Sequence, residues 1–439
     1  MTAKIIVLDD DPTGSQTVHS CLLLMRWDVE TLRLGLQDAS PLMFVLTNTR
    51  AMTPATAAST TQTVCQNLKV ALAAESITDF LVVSRSDSTL RGHYPVETDV
   101  IAAELGALDA HFLVPAFFEG GRITVNSIHY LNGIPVHETE FARDSVFGYS
   151  HSYLPDYVEE KTKGRIPAAS VERFLLPEIR EGCMERLLAL RKNHCCVVDG
   201  EIQSDLDRFA EDILAAVAQG KHFLFRSAAS WLTALAHLPP QPIPPEAMAT
   251  YVRGGRPGCV IVGSHVQKTT TQLENLLKAP GIVAVEINVK RLLLPDRHDM
   301  LLQETLEQVH DAYEAGNTPV VFTSREEIEF ETVATRLSFG EEVSALLMDV
   351  IRGLPEEIGF LISKGGITSN DTLSKGLELT AARLLGQVIA GVSMVRTPAD
   401  HPYLPDLPVV LFPGNVGDEQ ALTTVYQRLS RSHTASVES

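Results

Sequence analysis

Three consecutive acids, Asp9, Asp10 and Asp11, follow the apolar residues 5–8 in KIIVLDDDPTGSQTVH. Adjacent carboxylates repel, and crowding raises the pKa of at least one of them. Such a run suits a solvated loop that caps a helix, or a site where a cation or a substrate hydroxyl offsets the repulsion. Similar polar groups follow other short apolar runs. MFVL leads to Asn48 and Arg50, FLVV to Arg85, Asp87, Ser88, Arg91, Gly92 and His93, and FLVP to Glu119 and Arg122. These stretches are rich in arginine and poor in lysine. Arginine's planar fork suits bidentate capture of a carboxylate or phosphate. Any one arginine could simply hold its loop by an ion pair, Arg85 with Asp87 or Arg122 with Glu119. Four such stretches together indicate a site for an anionic, polar ligand.

Later in the chain the chemistry changes. GSHVQKTTTQ follows CVIV, SKGGITSND follows GFLI, and PGNVGDEQAL follows VVLF. Glycines with small hydroxyl residues let backbone N–H groups come close to a ligand, and a following helix N-terminus favours phosphate. Three such stretches suit a nucleotide polyphosphate. They are not a P-loop, because Gln267 stands where GSHVQKT would need its second glycine.

The elements that must carry these groups are legible as runs of four to six Val-, Ile- and Phe-rich residues separated by amphipathic stretches. That alternation predicts an α/β fold of mainly parallel sheets flanked by helices. In such sheets ligands bind beyond the carboxyl ends of the strands. A length of 439 residues predicts two domains. Five prolines between 239 and 245, followed by GGRPG, mark the break. The expected division is a substrate-binding domain over 1–240, a linker over 241–258, a nucleotide-binding domain over 259–430 and a flexible tail over 431–439, with the active site in the cleft between the domains.

Bulk composition narrows the partners. A formal net charge of −19 argues against nucleic acid and anionic membranes. No apolar run reaches the length of a membrane span, and MTAKIIVLDD reads as a first strand rather than a signal peptide. The six cysteines form no CxxC pattern and sit among apolar neighbours, as buried thiols in a reducing cytoplasm would. Zinc is not expected.

VLDDDPTG also fits the opening signature of haloacid-dehalogenase-like phosphatases, with Asp9 as nucleophile and Asp11 as acid. Lys364 and the pair Gly417 and Asp418 would then imitate later motifs. That reading uses neither the arginine-rich nor the glycine-rich stretches. A non-catalytic sensor of a sugar acid and a nucleotide is the other alternative, and the intact acid run argues against it.

Across nearly its whole length the chain resembles the four-carbon acid sugar kinases. Asp10, Asp11, Thr13 and Gly14 match that family's DDxTG opening, and SDSTLRG at 86–92 is similar to its DSTLRG segment. FFEGGRITVN resembles its glycine–arginine segment at Gly121 and Arg122. GS at Gly263 and Ser264, GGIT at 365–368 and GNVGDE at 414–419 resemble its nucleotide-binding segments. The resemblance implies a kinase that transfers a phosphoryl group from ATP to the terminal hydroxyl of threonate, erythronate or 3-oxo-tetronate. It implies Asp10 and Asp11 as catalytic residues, one orienting the hydroxyl and the other serving Mg²⁺, with the order open and no metal ligand assigned. Arg85, Asp87, Ser88, Arg91, Gly92 and Arg122 would bind the sugar acid, with Arg91 gripping its carboxylate. Ser264, Gly365, Gly366, Ile367, Thr368 and Gly414 would bind ATP. A homodimer is compatible with these readings. Two departures stand out. Pro12 replaces an aromatic residue, and Phe412 with Pro413 replaces the Lys-Ser pair of many members, leaving the cation beside the phosphates unassigned. The long stretch FARDSVFGYSHSYLPDYVEEKTKGRI suggests a distinct subgroup with its own substrate.

Overall fold

In the computed structural model the chain divides into two compact units, Met1–Pro240 and Gln241–Ser439. The structure describes residues 3–294, 296–325, 328, 330 and 332–430. The expected tail over 431–439 lies outside these residues.

The first unit is built on β1 (Lys4–Asp9), β2 (Leu22–Leu24), β3 (Leu42–Leu46), β4 (Phe80–Arg85) and β5 (Ala110–Val114). A small antiparallel excursion follows, made of β6 (Arg122–Val125), β7 (Ile128–Leu131) and β8 (Ile134–Pro135). β9 (Glu172–Phe174), β10 (His194–Val198) and β11 (Phe223–Ser227) complete the unit. The main strands lie in the order β2-β3-β1-β4-β11-β5-β10-β9, and every neighbouring pair is parallel. Ile6, Val7, Phe44 and Val83 are fully buried, as expected for strands covered on both faces. The flanking helices start on sequence signals. Asp28 caps the helix Val29–Gln37 by accepting from Thr31 N, and Thr53 caps Pro54–Ala74 by accepting from Thr56 N. Register then fixes the chemistry: Asp9 sits beside Arg85, and Arg85 beside Ser227, at the carboxyl ends of three adjacent strands.

The second unit contains β12 (Cys259–Val262), β13 (Ile282–Ile287), β14 (Thr318–Thr323), β15 (Leu361–Lys364), β16 (Ala381–Ile389), β17 (Val392–Arg396) and β18 (Pro408–Phe412). The order β13-β14-β12-β15-β18 is parallel, and β17 and β16 continue it antiparallel. The proline-rich stretch is not a free spacer. It forms 3₁₀ turns at Pro245–Tyr251 and Arg253–Gly255, and Met248 and Val252 pack into the same core as Val260 and Phe360. Prolines preset the backbone of such turns, and these two apolar residues anchor them. All six cysteines are buried thiols. Among the described residues no helix is long and apolar enough to cross a membrane.

Candidate active site

The three acids at the end of β1 meet three different environments. Asp9 is fully buried, with the Arg85 guanidinium 3.6 Å from its carboxylate. Burial pushes the Asp9 carboxyl up to about 8 despite Arg85, and the neighbouring Asp10 and Asp11 add to the rise. Gly14 folds directly over it. A Cβ at Gly14 would lie 2.1 Å from both Asp9 carboxylate oxygens, so only glycine fits there. Gly14→Ala is therefore expected to destabilise the first unit by ~1–3 kcal/mol, the usual cost of overpacking. Thermal denaturation checks this, and an unchanged melting temperature would mean that the loop moves off Asp9 freely.

Asp10 is 1% exposed. It accepts from the Arg50 guanidinium and, at 2.7 Å, from Ser86 Oγ. Ser86 Oγ in turn accepts from Arg226 Nη2 at 2.7 Å, and Arg226 Nη1 bonds Glu97 at 2.6 Å. Asp10 thus ends a buried chain of charge-assisted bonds. Asp11 faces outward, with its side chain 21% exposed against 2% for Asp10. It accepts from Thr13 N at 2.8 Å, from Thr13 Oγ1, and from Arg50 Nη1 at 3.2 Å. Burial alone would raise the Asp11 carboxyl. Arg50 and the Thr13 bonds prevail and hold it below its ordinary value. Arg50, in the 3₁₀ turn Thr49–Ala51 after β3, is the cation that makes the acid run tolerable.

The SDSTLRG loop after β4 is held from several sides. Burial would raise the Asp87 carboxyl as well, but Arg91 and Arg50 hold it well below the carboxylate range. Arg91 Nε donates to Asp87 at 2.6 Å, its Nη1 lies 3.8 Å from Asp144, and its guanidinium sits 4.9 Å over the Phe141 ring. His129 Nε2 bonds the Ser88 carbonyl at 2.7 Å. Burial keeps that histidine neutral, pulling it down to about 4. Gly92 has φ +135°, and a Cβ there would meet Ser86 Oγ at 2.4 Å and Arg226 Nη2 at 2.5 Å, so its glycine has a packing reason. The long stretch after residue 140 has a job here. Tyr149 and Tyr157 donate to the carbonyls of Thr89 and Leu90 at 2.7 and 2.9 Å.

Arg122 differs from the other arginines of this region. Arg50, Arg91 and Arg226 each pair closely with an Asp or Glu, whereas Arg85 stands 3.6 Å from Asp9 and, like Arg122, has a buried Nε without a hydrogen bond. Arg122 has no carboxylate partner among the described residues. It donates to the Gly120 carbonyl, its Nε is buried without a partner, and it lies 5.8 Å from the Phe117 ring centre. Burial lowers its pKa, Asp87 raises it and Arg91 lowers it further. Arg122 and the loop at Asp87 and Arg91 therefore share one electrostatic environment.

In the second unit Ser264, Gly365, Gly366, Ile367 and Thr368 line one cavity of about 590 Å³. Val289, Leu347 and Met348 add an apolar wall, and Phe330 and Phe339 add an aromatic one with ring centres 5.1 Å apart. The volume is that of a small-molecule site. Gly414 lies at its edge: a Cβ there would come 3.2 Å from Ser264 Oγ, and Thr269 Oγ1 donates to the Gly414 carbonyl at 2.8 Å.

Comparisons with known proteins place both units in known domain families. Residues 5–235 match the sugar-binding N-terminal domain, and residues 259–422 the nucleotide-binding C-terminal domain. The chain belongs to the four-carbon acid sugar kinase family. A D-erythronate kinase from Heliobacterium modesticaldum is 25% identical over 405 residues, covering 83% of each chain. A D-threonate kinase from Salmonella typhimurium is 25% identical over 438 residues, covering 95% of this chain and 96% of that one. Solved structures from Salmonella typhimurium and Haemophilus influenzae share the fold, each at 18% identity. Their TM-scores are 0.70, over 98% of this chain and 99% of that one, and 0.64, over 97% and 100%.

The chain is thus a sugar-acid kinase, and the phosphatase reading has a physical obstacle as well. Its nucleophile would be Asp9, which is sealed under Gly14 and held largely protonated below about pH 8 by burial. Among the described residues no group of three or more His, Cys, Asp or Glu could hold a metal. Mg²⁺ typically binds through one or two carboxylates, waters and substrate phosphates. The partly exposed Asp11 is a carboxylate of the kind that could share such a metal with substrate phosphates. Three features escaped the sequence reading. Arg50 was only one of several arginines after strands, Phe330 and Phe339 carry no motif, and Arg325 follows β14 without a glycine signal. Arg325 Nη1 donates to the Ser264 carbonyl at 2.5 Å.

Proposed function

We propose that this kinase transfers the terminal phosphoryl group of ATP to the terminal hydroxyl of a four-carbon sugar acid of the threonate or erythronate type. The observation that carries this reading is Asp11, an ionised, partly exposed carboxylate at a strand tip, backed by Arg50 and flanked by the arginine-rich loop. Phosphoryl transfer asks the protein mainly to position groups and balance charge, with an acceptor for the attacking hydroxyl. Asp11 supplies the acceptor, and Asp10 holds Arg50 and Ser86 in place behind it. Arg122 is the open fork for the substrate carboxylate, and Asp87, Ser88 and Arg91 shape the loop beside it. Ser264, the turn at 365–368 and Gly414 surround the phosphates. Mg²⁺, when bound, offsets charge on the moving phosphoryl group. An assay of ATP-dependent ADP formation over a panel of four-carbon acids, with mass analysis of the product, tests the reading. Phosphate release from phosphomonoesters without nucleotide would favour a phosphatase, and binding without turnover a sensor.

Gly414 gives a selective test of the nucleotide side. Its backbone does not need a positive φ, and the nearest atoms to a Cβ there would be Ser264 Oγ at 3.2 Å and Val266 Cγ2 at 3.6 Å, both in side chains. Gly414→Val is thus expected to fold normally and to weaken ATP binding by blocking close backbone approach. Calorimetric titration checks it. Wild-type ATP affinity in the folded variant would remove Gly414 from the site.

A further inference from the structure

Two cations beside the glycine turns of the second unit stand without carboxylate partners among the described residues. Lys364, the last residue of β15, is 0% exposed, and its Nζ donates to the carbonyls of Pro413 at 2.5 Å and Gly414 at 3.2 Å. Its Nζ also lies 4.1 Å from the centre of the Phe412 ring. Arg325 reaches the Ser264 carbonyl with Nη1, while its Nε and Nη2 are buried and make no hydrogen bond. In the first unit Arg50, Arg91 and Arg226 are each matched by a hydrogen-bonded aspartate or glutamate. Here a fully buried lysine and a partly buried arginine have only neutral carbonyls as hydrogen-bond partners. Burying a charge in this way is costly unless an anion compensates it.

The geometry points to Lys364 and Arg325 as the charge partners of the nucleotide polyphosphate, Lys364 from beneath the turn at Pro413 and Gly414 and Arg325 from beside Ser264. This rests on the reading that the second unit binds ATP. It also supplies the cation missing where Phe412 and Pro413 stand. The lysine comes from the neighbouring strand and passes over the Phe412 ring, its register partner on β18.

The electrostatics agree. Burial, reinforced by Lys268 from the helix Gln267–Leu276, pulls Lys364 down to about 7. Its register partner on the other flanking strand is Val262, and the turn at 365–368 brings no titratable side chain. Burial likewise lowers Arg325, with Glu286 opposing. A polyphosphate arriving beside Lys364 favours its charged form, so nucleotide binding carries a proton with it.

The test is calorimetric titration of ATP, ADP and adenosine into wild type, Lys364→Met and Arg325→Ala at pH 8, in two buffers of different ionisation enthalpy. Charge-assisted contacts of this kind are worth roughly 10- to 150-fold in affinity. ATP affinity is expected to fall by about tenfold or more in each variant, with adenosine affinity unchanged. Wild type should take up a substantial fraction of a proton per ATP, and Lys364→Met should not. If wild type binds ATP while both variants match it, the inference is overturned and the nucleotide reading stands. Equal losses for ATP and adenosine would make the residues structural and also overturn it. If wild type binds no ATP, the nucleotide reading itself fails. Arg325→Ala removes no buried partner bond except that to Ser264, so it keeps the test open should Lys364→Met fail to fold.

Discussion

Asp11→Asn is expected to lower kcat by ~10²- to 10⁴-fold, the usual worth of a positioned proton acceptor, while nucleotide affinity and melting temperature stay close to wild type. The amide keeps the size of the side chain and still accepts from Thr13, but it cannot take the hydroxyl's proton. Asp10→Asn should behave differently. Asp10 is buried against Arg50 and Ser86, and removing one partner of a buried ion pair costs about 3–5 kcal/mol. Its principal signature is therefore a lower melting temperature, with activity falling because Arg50 is no longer fixed. Measuring kcat, ATP affinity and thermal stability for both variants separates the two roles. Asp11→Asn turnover within about threefold of wild type would take Asp11 out of the mechanism, since a base contributes far more than that.

The strands that carry chemistry were legible because they are buried on both faces. An uninterrupted run such as IIVL or MFVL needs no period to be recognised, and the residue after it is at the strand end by construction. β16 and β17 were missed for the converse reason. AARLLGQVI and VSMVR mix polar with apolar residues, and their antiparallel pairing lies outside a pattern of strand, helix, strand. The hairpin of β6–β8 was hidden likewise, since its strands have two to four residues. The proline-rich stretch was read by composition, which reports that a helix interior is impossible but not that Met248 and Val252 are buried. At the site, residue types were readable and pairings were not. Nothing local to Arg50 says that it bridges Asp10 and Asp11 across about 40 residues of chain, a separation set by the parallel pairing of β1 with β3. Lys364 was visible as a residue before two glycines and as a possible phosphatase-motif lysine, not as a cation beside the turn at Gly414. Its position over Phe412 depends on the register of β15 with β18.

That distinction between residue type and pairing changes which arginine is expected to read the substrate. From sequence, Arg91 lies in the most specific motif and is the expected grip for the carboxylate. In the structure its Nε is on Asp87, Asp144 stands near Nη1 and Phe141 covers its face. Arg122, by contrast, has no carboxylate partner among the described residues and a buried Nε without a hydrogen bond. Arg122→Ala should therefore lose a charge-assisted contact worth ~1.5–3 kcal/mol, roughly a 10- to 150-fold drop in kcat/KM on the sugar acid at 1.4 kcal/mol per decade. On the uncharged alcohol analogue the same variant should lose little. Arg122→Lys should recover only part of the loss, because an ammonium cannot reproduce the guanidinium's fork. Arg91→Ala should instead match Asp87→Ala, with equal losses on both substrates and a lower melting temperature, since both remove the bond that fixes the loop. Steady-state kinetics of these four variants on the two substrates, with melting curves, decide between the arginines. A loss confined to the acid in Arg91→Ala, with Arg122→Ala unaffected, would reverse the assignment and return the carboxylate to Arg91.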